Sequence, residues 1–492
     1  MNGLTALVLL PAFAALLTRL APTAEGARRA AIAGALATLL ASLLVVASFD
    51  LGAPGMQMEW AGAVVPWARM QWHVGVDGLS VVLLPLTSLI GVATTLGLPR
   101  QSMNRASLAA TLLTVSATLG LFVTLDLAWL AVFWLVRLAP GLDLIAAMPD
   151  PDLRRHVRRT WWVFLVAGSA PLFAAVIALG VLGNRAGLAA PFDLVHLTAM
   201  GVPRAWQLAL FPALVVSVGM RMAVVPFHGW MSVLLEHGPP GVALLITGAH
   251  VALYAIARII LPLLPDACAV GMGPLMIATL LCALYGSVVA LAQDDLRRMV
   301  AYLAVSHAGL MAGGLASMNA QSVAGSLLQS VASGLSLTGL LVIVRALHAR
   351  TGTSHMDDHG GIARSAPRMS VFFLLFGLAA VGFPTTITYV SEDLLLHGVL
   401  DAHPLMAVLL LLATALNGIT LLRAFFRTFM GPPPRGAPGG VDDLVPRERA
   451  VAFLLTTSIF LGGLYPRPLL EARQPVVTAI VSRTAQRAPH GH

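Results

Sequence analysis

Two apolar stretches of this chain are interrupted by proline, and each interruption has ionisable side chains beside it. The first, Gly219 to Trp230, places Arg221 before Pro226 and His228 after it. The second begins at Gly382, passes Pro384 and reaches Glu392 and Asp393. Two further apolar runs hold single histidines: His250 lies within Leu244 to Tyr254, and His307 lies between Ser306 and Gly309. These side chains are suited to passing protons along a sheltered row. Histidine titrates near neutrality. A desolvated carboxyl accepts a proton readily and gives it up to water or beside a cation. Arg221 keeps its charge, because its reference pKa lies above about 12, so it sets a field instead of carrying the proton. All 30 basic side chains counted as lysine plus arginine are arginine. A relay here must therefore be built from His, Asp, Glu, Tyr and water.

The elements that position these groups are set by composition. Hydrophobic residues make up 58% and charged residues 11%, against about 25% charged in a soluble domain. About fourteen apolar runs are long enough to cross a hydrocarbon core of roughly 30 Å. Proline removes a backbone donor and clashes with the preceding turn, so Pro226 and Pro384 break their helices. Such breaks survive in a bilayer only where they line a buried or wet path. A matched pair of broken helices marks the ion site of transporters built from internal repeats. The expected fold is an all-α polytopic membrane protein of about fourteen transmembrane helices. It contains two inverted five-helix repeats, each with a broken helix. The expected segments are 1–106, an N-terminal three-helix segment; 107–264 and 265–430, the two repeats; and 431–492, the last transmembrane helix and a tail lying on the membrane surface.

The net charge of +8 does not point to nucleic acid, because the arginines sit in short connections. They concentrate in odd-numbered connections, for example Arg28 and Arg29, Arg154 to Arg159, Arg297 and Arg298, and Arg427 with Arg435. Basic loops stay in the cytoplasm. Both termini are therefore expected on the periplasmic side of a bacterial inner membrane. Cys268 and Cys282 are expected to be small buried residues. No metal or cofactor site is expected: the chain has no CxxC, P-loop, dinucleotide fingerprint or haem-ligand pair.

Several stretches resemble the antiporter-like membrane subunits of respiratory complex I, and most of all chain M (subunit 4). They include Gly75-Val76-Asp77-Gly78-Leu79-Ser80, Val225-Pro226-Phe227-His228-Gly229-Trp230, Ala292 to Tyr302 followed by Val305-Ser306-His307-Ala308-Gly309, Asp358 to Ala363, and Gly463-Leu464-Tyr465-Pro466-Arg467-Pro468. The resemblance covers most of residues 70 to 470. It implies one proton channel, no redox centre of its own, and partnership with other membrane subunits and the lipid bilayer. It implies no direct NADH or quinone site.

Carried over by position, the family's channel residues change in this chain. The fifth-span glutamate becomes Leu135, and the lysine of the first broken helix becomes Arg221. The eighth-span lysine becomes His250, an eleventh-span histidine becomes Ser333, and the carboxylate of the second broken helix is retained as Glu392. Glu392, His250, Arg221 and His307 are the expected proton path. The structural alternatives are a Glu392–arginine pair, a satisfied core histidine at 250, and a brace between the halves at His307. His228 is expected to satisfy carbonyls freed at Pro226. Arg137 needs a partner, with Glu392, Glu236 and Asp143 the nearest in kind. The competing functions are a membrane partner in an inorganic-carbon uptake, hydrogenase or cation/proton antiporter complex, or a non-conducting paralogue.

Overall fold

The computed structural model describes residues 2–53, 55–65, 69–246, 248–432 and 440–485. Arg435 and the end of the tail lie outside the described residues. Helices α1 (Gly3–Leu20) and α2 (Ala24–Ala47) start at Asn2 and Thr23, whose side chains accept from the backbone N–H groups of Leu4 and Gly26; such caps satisfy donors that a helix start leaves free. A hairpin follows, β1 (Gln57–Val65) against β2 (Met70–Val76), antiparallel. Segment 1–106 holds the three helices α1, α2 and α3 (Leu83–Gly97), and this hairpin is an addition to an otherwise helical fold. Its signal was a short two-residue alternation, Gln57 to Trp60 and Met70 to Val74, overshadowed by the long apolar runs on either side.

Next come α3 (Leu83–Gly97), α4 (Arg105–Val123), α5 (Leu127–Val136), α6 (Ala139–Ala146), α7 (Pro151–Thr160) and α8 (Ala170–Arg185). The short α9 (Leu194–Met200) precedes α10 (Arg204–Met222) and α11 (Gly229–His237). The next run is divided into α12 (Pro240–Ile246), α13 (His250–Ala255) and α14 (Leu261–Leu263). Three long helices follow: α15 (Pro265–Leu291), α16 (Leu296–Ala316) and α17 (Ala320–Thr351). The chain closes with α18 (Ile362–Ser365), α19 (Pro367–Ala380), α20 (Ile387–Ala402), α21 (Pro404–Phe429), α22 (Pro446–Leu464), α23 (Arg467–Glu471) and α24 (Gln474–Ala485).

Among the described residues, ten helices are long and apolar enough to cross a membrane, or eleven if the bent run beginning at α22 counts as one. That is fewer than the expected fourteen. The difference lies in α3, the His250–Leu263 run and α19, which are apolar but short; two of these belong to runs that the structure divides at a break. After α22 the chain bends by 75° into α23 and α24.

The inside of the bundle is built on α16 and α17. The most apolar window of α16 is 94% buried, against 28% for α2 on the outside. Small residues permit this packing. A Cβ at Gly309 on α16 would lie 2.5 Å from the Ala283 backbone nitrogen on α15, and one at Gly325 on α17 would lie 2.8 Å from the Ser391 carbonyl on α20. In lipid, where water does not drive helices together, such close approach is a main source of cohesion.

The two ends of the bundle differ in charge. At one end Arg447 donates to the Leu98 carbonyl (3.0 Å), Arg350 to Glu448 (2.6 Å), and Arg423 to Asp294 (2.8 Å). At the other end the hairpin meets the acidic caps Asp126 and Asp193, and Arg69 donates to Asn184 (2.6 Å).

Candidate functional site

At the first break α10 stops at Ala223, which has a φ of +58°. The Trp230 indole donates to the Met220 carbonyl (2.8 Å), and the Val225 backbone N–H donates to Cys282 Sγ (3.2 Å). Freed backbone groups thus find partners without His228. The expectation for His228 is corrected: its Nε2 lies 3.2 Å from the Tyr285 hydroxyl, on α15. Cys268 and Cys282 are both buried and unbridged.

Arg221 lies in the last turn of α10 and is 4% exposed. One of its nitrogens donates to the Trp134 carbonyl (3.5 Å), and its guanidinium sits 5.3 Å from the centre of the Trp134 ring. Arg137, at the end of α5, is fully buried and donates to the Leu245 carbonyl (2.9 Å). The partners expected for Arg137 are absent. Among the described residues it has no carboxylate within ion-pair distance: Glu236 lies 3.8 Å from Arg298, and Asp143 is exposed. Arg137 caps the C-terminal end of α5, and neither carboxylate is within ion-pair distance of it. The glutamate Glu392 is on α20, in the other half.

His250 opens α13 and is 2% exposed. Its ring stands 6.0 Å from Phe122, and its Nδ1 has no hydrogen-bond partner. The ring also fills the space beside Gly248, where a side chain would collide with it. Gly248 and Ala249 line a cavity of about 30 Å³ shared with Ala304, His307, Met311, Ser333 and Thr338. That volume holds about one water. His307 is buried, and neither of its ring nitrogens has a hydrogen-bond partner among the described residues. Its neighbour Ser306 accepts from Asn417 on α21 (3.0 Å).

Beyond the cavity the polar groups continue. Ser333 donates to the Gln329 carbonyl (2.8 Å), and the Gln329 side chain accepts from Ser391. Ser391 precedes Glu392 on α20. The Glu392 carboxylate lies over Gly382, where the chain has a φ of +70°; a Cβ at 382 would sit 2.5 Å from it. Glycine is therefore required there on two counts, conformation and space. Pro226 and Pro384 both lie in the exposed turns of the breaks. The structure thus sets Arg221, Arg137 and His250 in one half. His307, Ser333, Gln329 and Glu392 lie in the other, with the small cavity between.

Two further polar constellations were not found by sequence reasoning. Arg258 donates to Asp77 (2.5 Å) and to the Tyr254 hydroxyl (3.2 Å), and Tyr254 donates to the Phe122 carbonyl (3.2 Å). Asp77 also accepts from the backbone of Leu79 and Ser80 (3.1 Å each). On the hairpin, His73 is held between Asp193 and Glu59, the latter at 2.7 Å. The hydrogen bond to Asp193 raises the His73 pKa above its ordinary value, against the opposing effect of burial. Burial resists ionisation of Asp193, but hydrogen bonds from His73 and the His196 backbone outweigh it and hold its pKa low. Pairing across more than a hundred residues leaves no local sequence signal.

The family model that matches, NADH:quinone oxidoreductase/Mrp antiporter, TM, spans residues 125–417. That interval contains both broken helices and the polar groups between them. Subunit 13 of the NADH-quinone oxidoreductase of Thermus thermophilus is 30% identical over 448 residues, 91% of this chain and 93% of the relative. A chain in the structure of respiratory complex I from Thermus thermophilus with bound NADH superposes with a TM-score of 0.89 at 29% identity, covering 98% of this chain and 99% of that one. A chain of the Mrp complex from Dietzia shares the fold, with a TM-score of 0.82 at 19% identity over 99% of this chain and 100% of that one. The broken helices and the extent of these matches carry one conclusion: this multi-pass membrane chain belongs to the NADH:quinone oxidoreductase/Mrp antiporter transmembrane family.

Proposed function

We propose that the chain is a proton-translocating membrane subunit of a complex I-like NADH-quinone oxidoreductase. It works beside other membrane subunits in a bacterial inner membrane and carries no redox centre of its own. The observation that carries this reading is the row of buried polar groups across the bundle: His250, the small cavity, His307, Ser333, Gln329 and Glu392. Histidine at two places supplies imidazoles, the side chain best suited to handing on a proton, and the cavity between His307 and the first half has room for a water. Arg221 fixes the field at one end, and Glu392 is the terminal acceptor at the other. The two breaks serve as the cores of inverted five-helix repeats within a fourteen-span chain. The arginine-rich end faces the cytoplasm, leaving both termini in the periplasm.

The family also includes Mrp antiporters, so a cation/proton antiporter assembly is the second reading. Sodium dependence separates them: an oxidoreductase subunit moves protons with NADH oxidation whether or not sodium is present. The role of His250 is tested with His250→Gln and His250→Lys in membrane vesicles. Proton uptake driven by NADH is expected to fall by roughly 100-fold in the first and to return in large part in the second. Undiminished pumping with glutamine at 250 rejects the role.

A further inference from the structure

A cavity of about 540 Å³ lies at the hairpin end of the bundle, between the α2–β1 connection, α9, α14 and α24. Its walls include Met56, Leu194, Leu261 and Val476, and its rim reaches the surface at Val195 and Ala479. Small-molecule sites have volumes of about 300–1,000 Å³, apolar walls and a few placed polar groups. The charged groups on this wall are Asp77 and Arg258, 6% and 7% exposed. Their ion pair joins Arg258 Nη2 to Asp77 Oδ1 (2.5 Å). The Leu79 and Ser80 backbones also donate to Oδ1, and Arg258 Nε donates to Tyr254. Asp77 Oδ2 and Arg258 Nη1 make no hydrogen bond among the described residues, and neither atom is fully enclosed by protein. One free acceptor and one free donor, of opposite charge, thus stand side by side on an apolar wall.

We propose that this cavity binds a zwitterionic phospholipid with a primary ammonium, phosphatidylethanolamine, its phosphate on Arg258 Nη1 and its ammonium on Asp77 Oδ2. Charge complementarity selects the headgroup. Asp77 and Arg258 already balance each other, so a headgroup with a net charge brings one that is left unmatched in a buried place, which is unfavourable. A zwitterion matches both. An ammonium N–H makes a charge-assisted hydrogen bond to the free carboxylate oxygen; a trimethylammonium has no N–H to give. The apolar walls select a lipid over free phosphoethanolamine, because burying acyl methylenes there is favourable and leaving those walls wet is not. None of Glu392, His250, Arg221 and His307 lines the cavity, so the lipid site stands apart from the proposed proton path.

The test uses the full chain in its native membrane assembly, purified in detergent. A phosphatidylethanolamine with a photoreactive acyl chain is cross-linked to it, and the labelled peptides are identified by mass spectrometry. Label is expected on α9 and α24, with unlabelled phosphatidylethanolamine competing ~10-fold or more better than phosphatidylcholine or phosphatidylglycerol. Free phosphoethanolamine is expected not to compete. Asp77→Asn/Arg258→Met, which removes both charges together, is expected to abolish the preference among headgroups, and Ala479→Trp to block labelling by filling the cavity. Equal competition by the three lipids overturns the proposal, as does competition by phosphoethanolamine alone. So does an absence of label on α9 and α24, or a structure of the assembly in which a neighbouring subunit's side chains fill the cavity. Competition is measured on the wild-type protein, so failure of a variant to assemble leaves the decision intact.

Discussion

His307 separates a relay from a brace. Its ring has no partner in the chain and borders a cavity of about 30 Å³. Replacing a buried polar group that lacks partners with an apolar one of similar size is close to neutral or stabilising. His307→Leu is therefore expected to leave the melting temperature unchanged or raised, while proton translocation falls by roughly 100-fold. A structural brace would give the reverse, a lower melting temperature with pumping retained. The polar groups on apolar runs were legible in the sequence because a charge there stands out against its neighbours: Glu392, Arg221 and both histidines were found in this way. What they touch was not legible. His228 pairs with Tyr285 on another helix, and Arg137 meets no carboxylate among the described residues. Asp77 and Arg258 looked unremarkable alone, yet they form a close buried ion pair. Asp77→Asn leaves Arg258 buried without its counter-charge and is expected to cost about 3–5 kcal/mol. A thermal melt of the purified chain checks this; Asp77→Asn/Arg258→Met should recover most of the loss.

At the scale of elements, the hairpin and the tail lock onto the same end. Gly78 approaches the Ala472 carbonyl so closely that any Cβ would overlap it. Gly78→Ala is expected to cost about 1–3 kcal/mol through overpacking, seen as easier proteolysis of α24. The hairpin's docking depends on pH through His73 and Asp193. The raised His73 pKa gives stability that is complete below its unfolded value of ~6.5 and is lost as pH rises through the folded value. The depressed Asp193 pKa gives stability present above an unfolded value of ~3.9 and lost as pH falls through the folded one. Both contributions are present in mildly acidic solution. Hydrogen exchange in β2, corrected for its intrinsic rate, is expected to be slowest there and to speed up towards alkaline pH. His73→Gln should flatten that profile, and a flat wild-type profile would contradict the assignment. Long helices and both breaks were readable from apolar run length and proline. The hairpin was not, because its alternation spans only a few residues, and neither were the divisions within α12 to α14.

Across the whole molecule, the bundle joins a basic end to an end bearing acidic caps through an interior with one row of polar groups. Helices α16 and α17, among the most deeply buried, carry His307, Gln329 and Ser333. The close glycine contacts that bind α15 to α16 and α17 to α20 fix this row in place. On the proposed path, protons pass through side chains held on closely packed helices. The central claim is that Glu392 takes part in that movement. Its direct test is the number of protons carried per NADH oxidised by vesicles holding the intact assembly with Glu392→Gln. The account predicts assembly at normal levels with fewer protons moved for each NADH. An unchanged ratio in a fully assembled, coupled complex would contradict it.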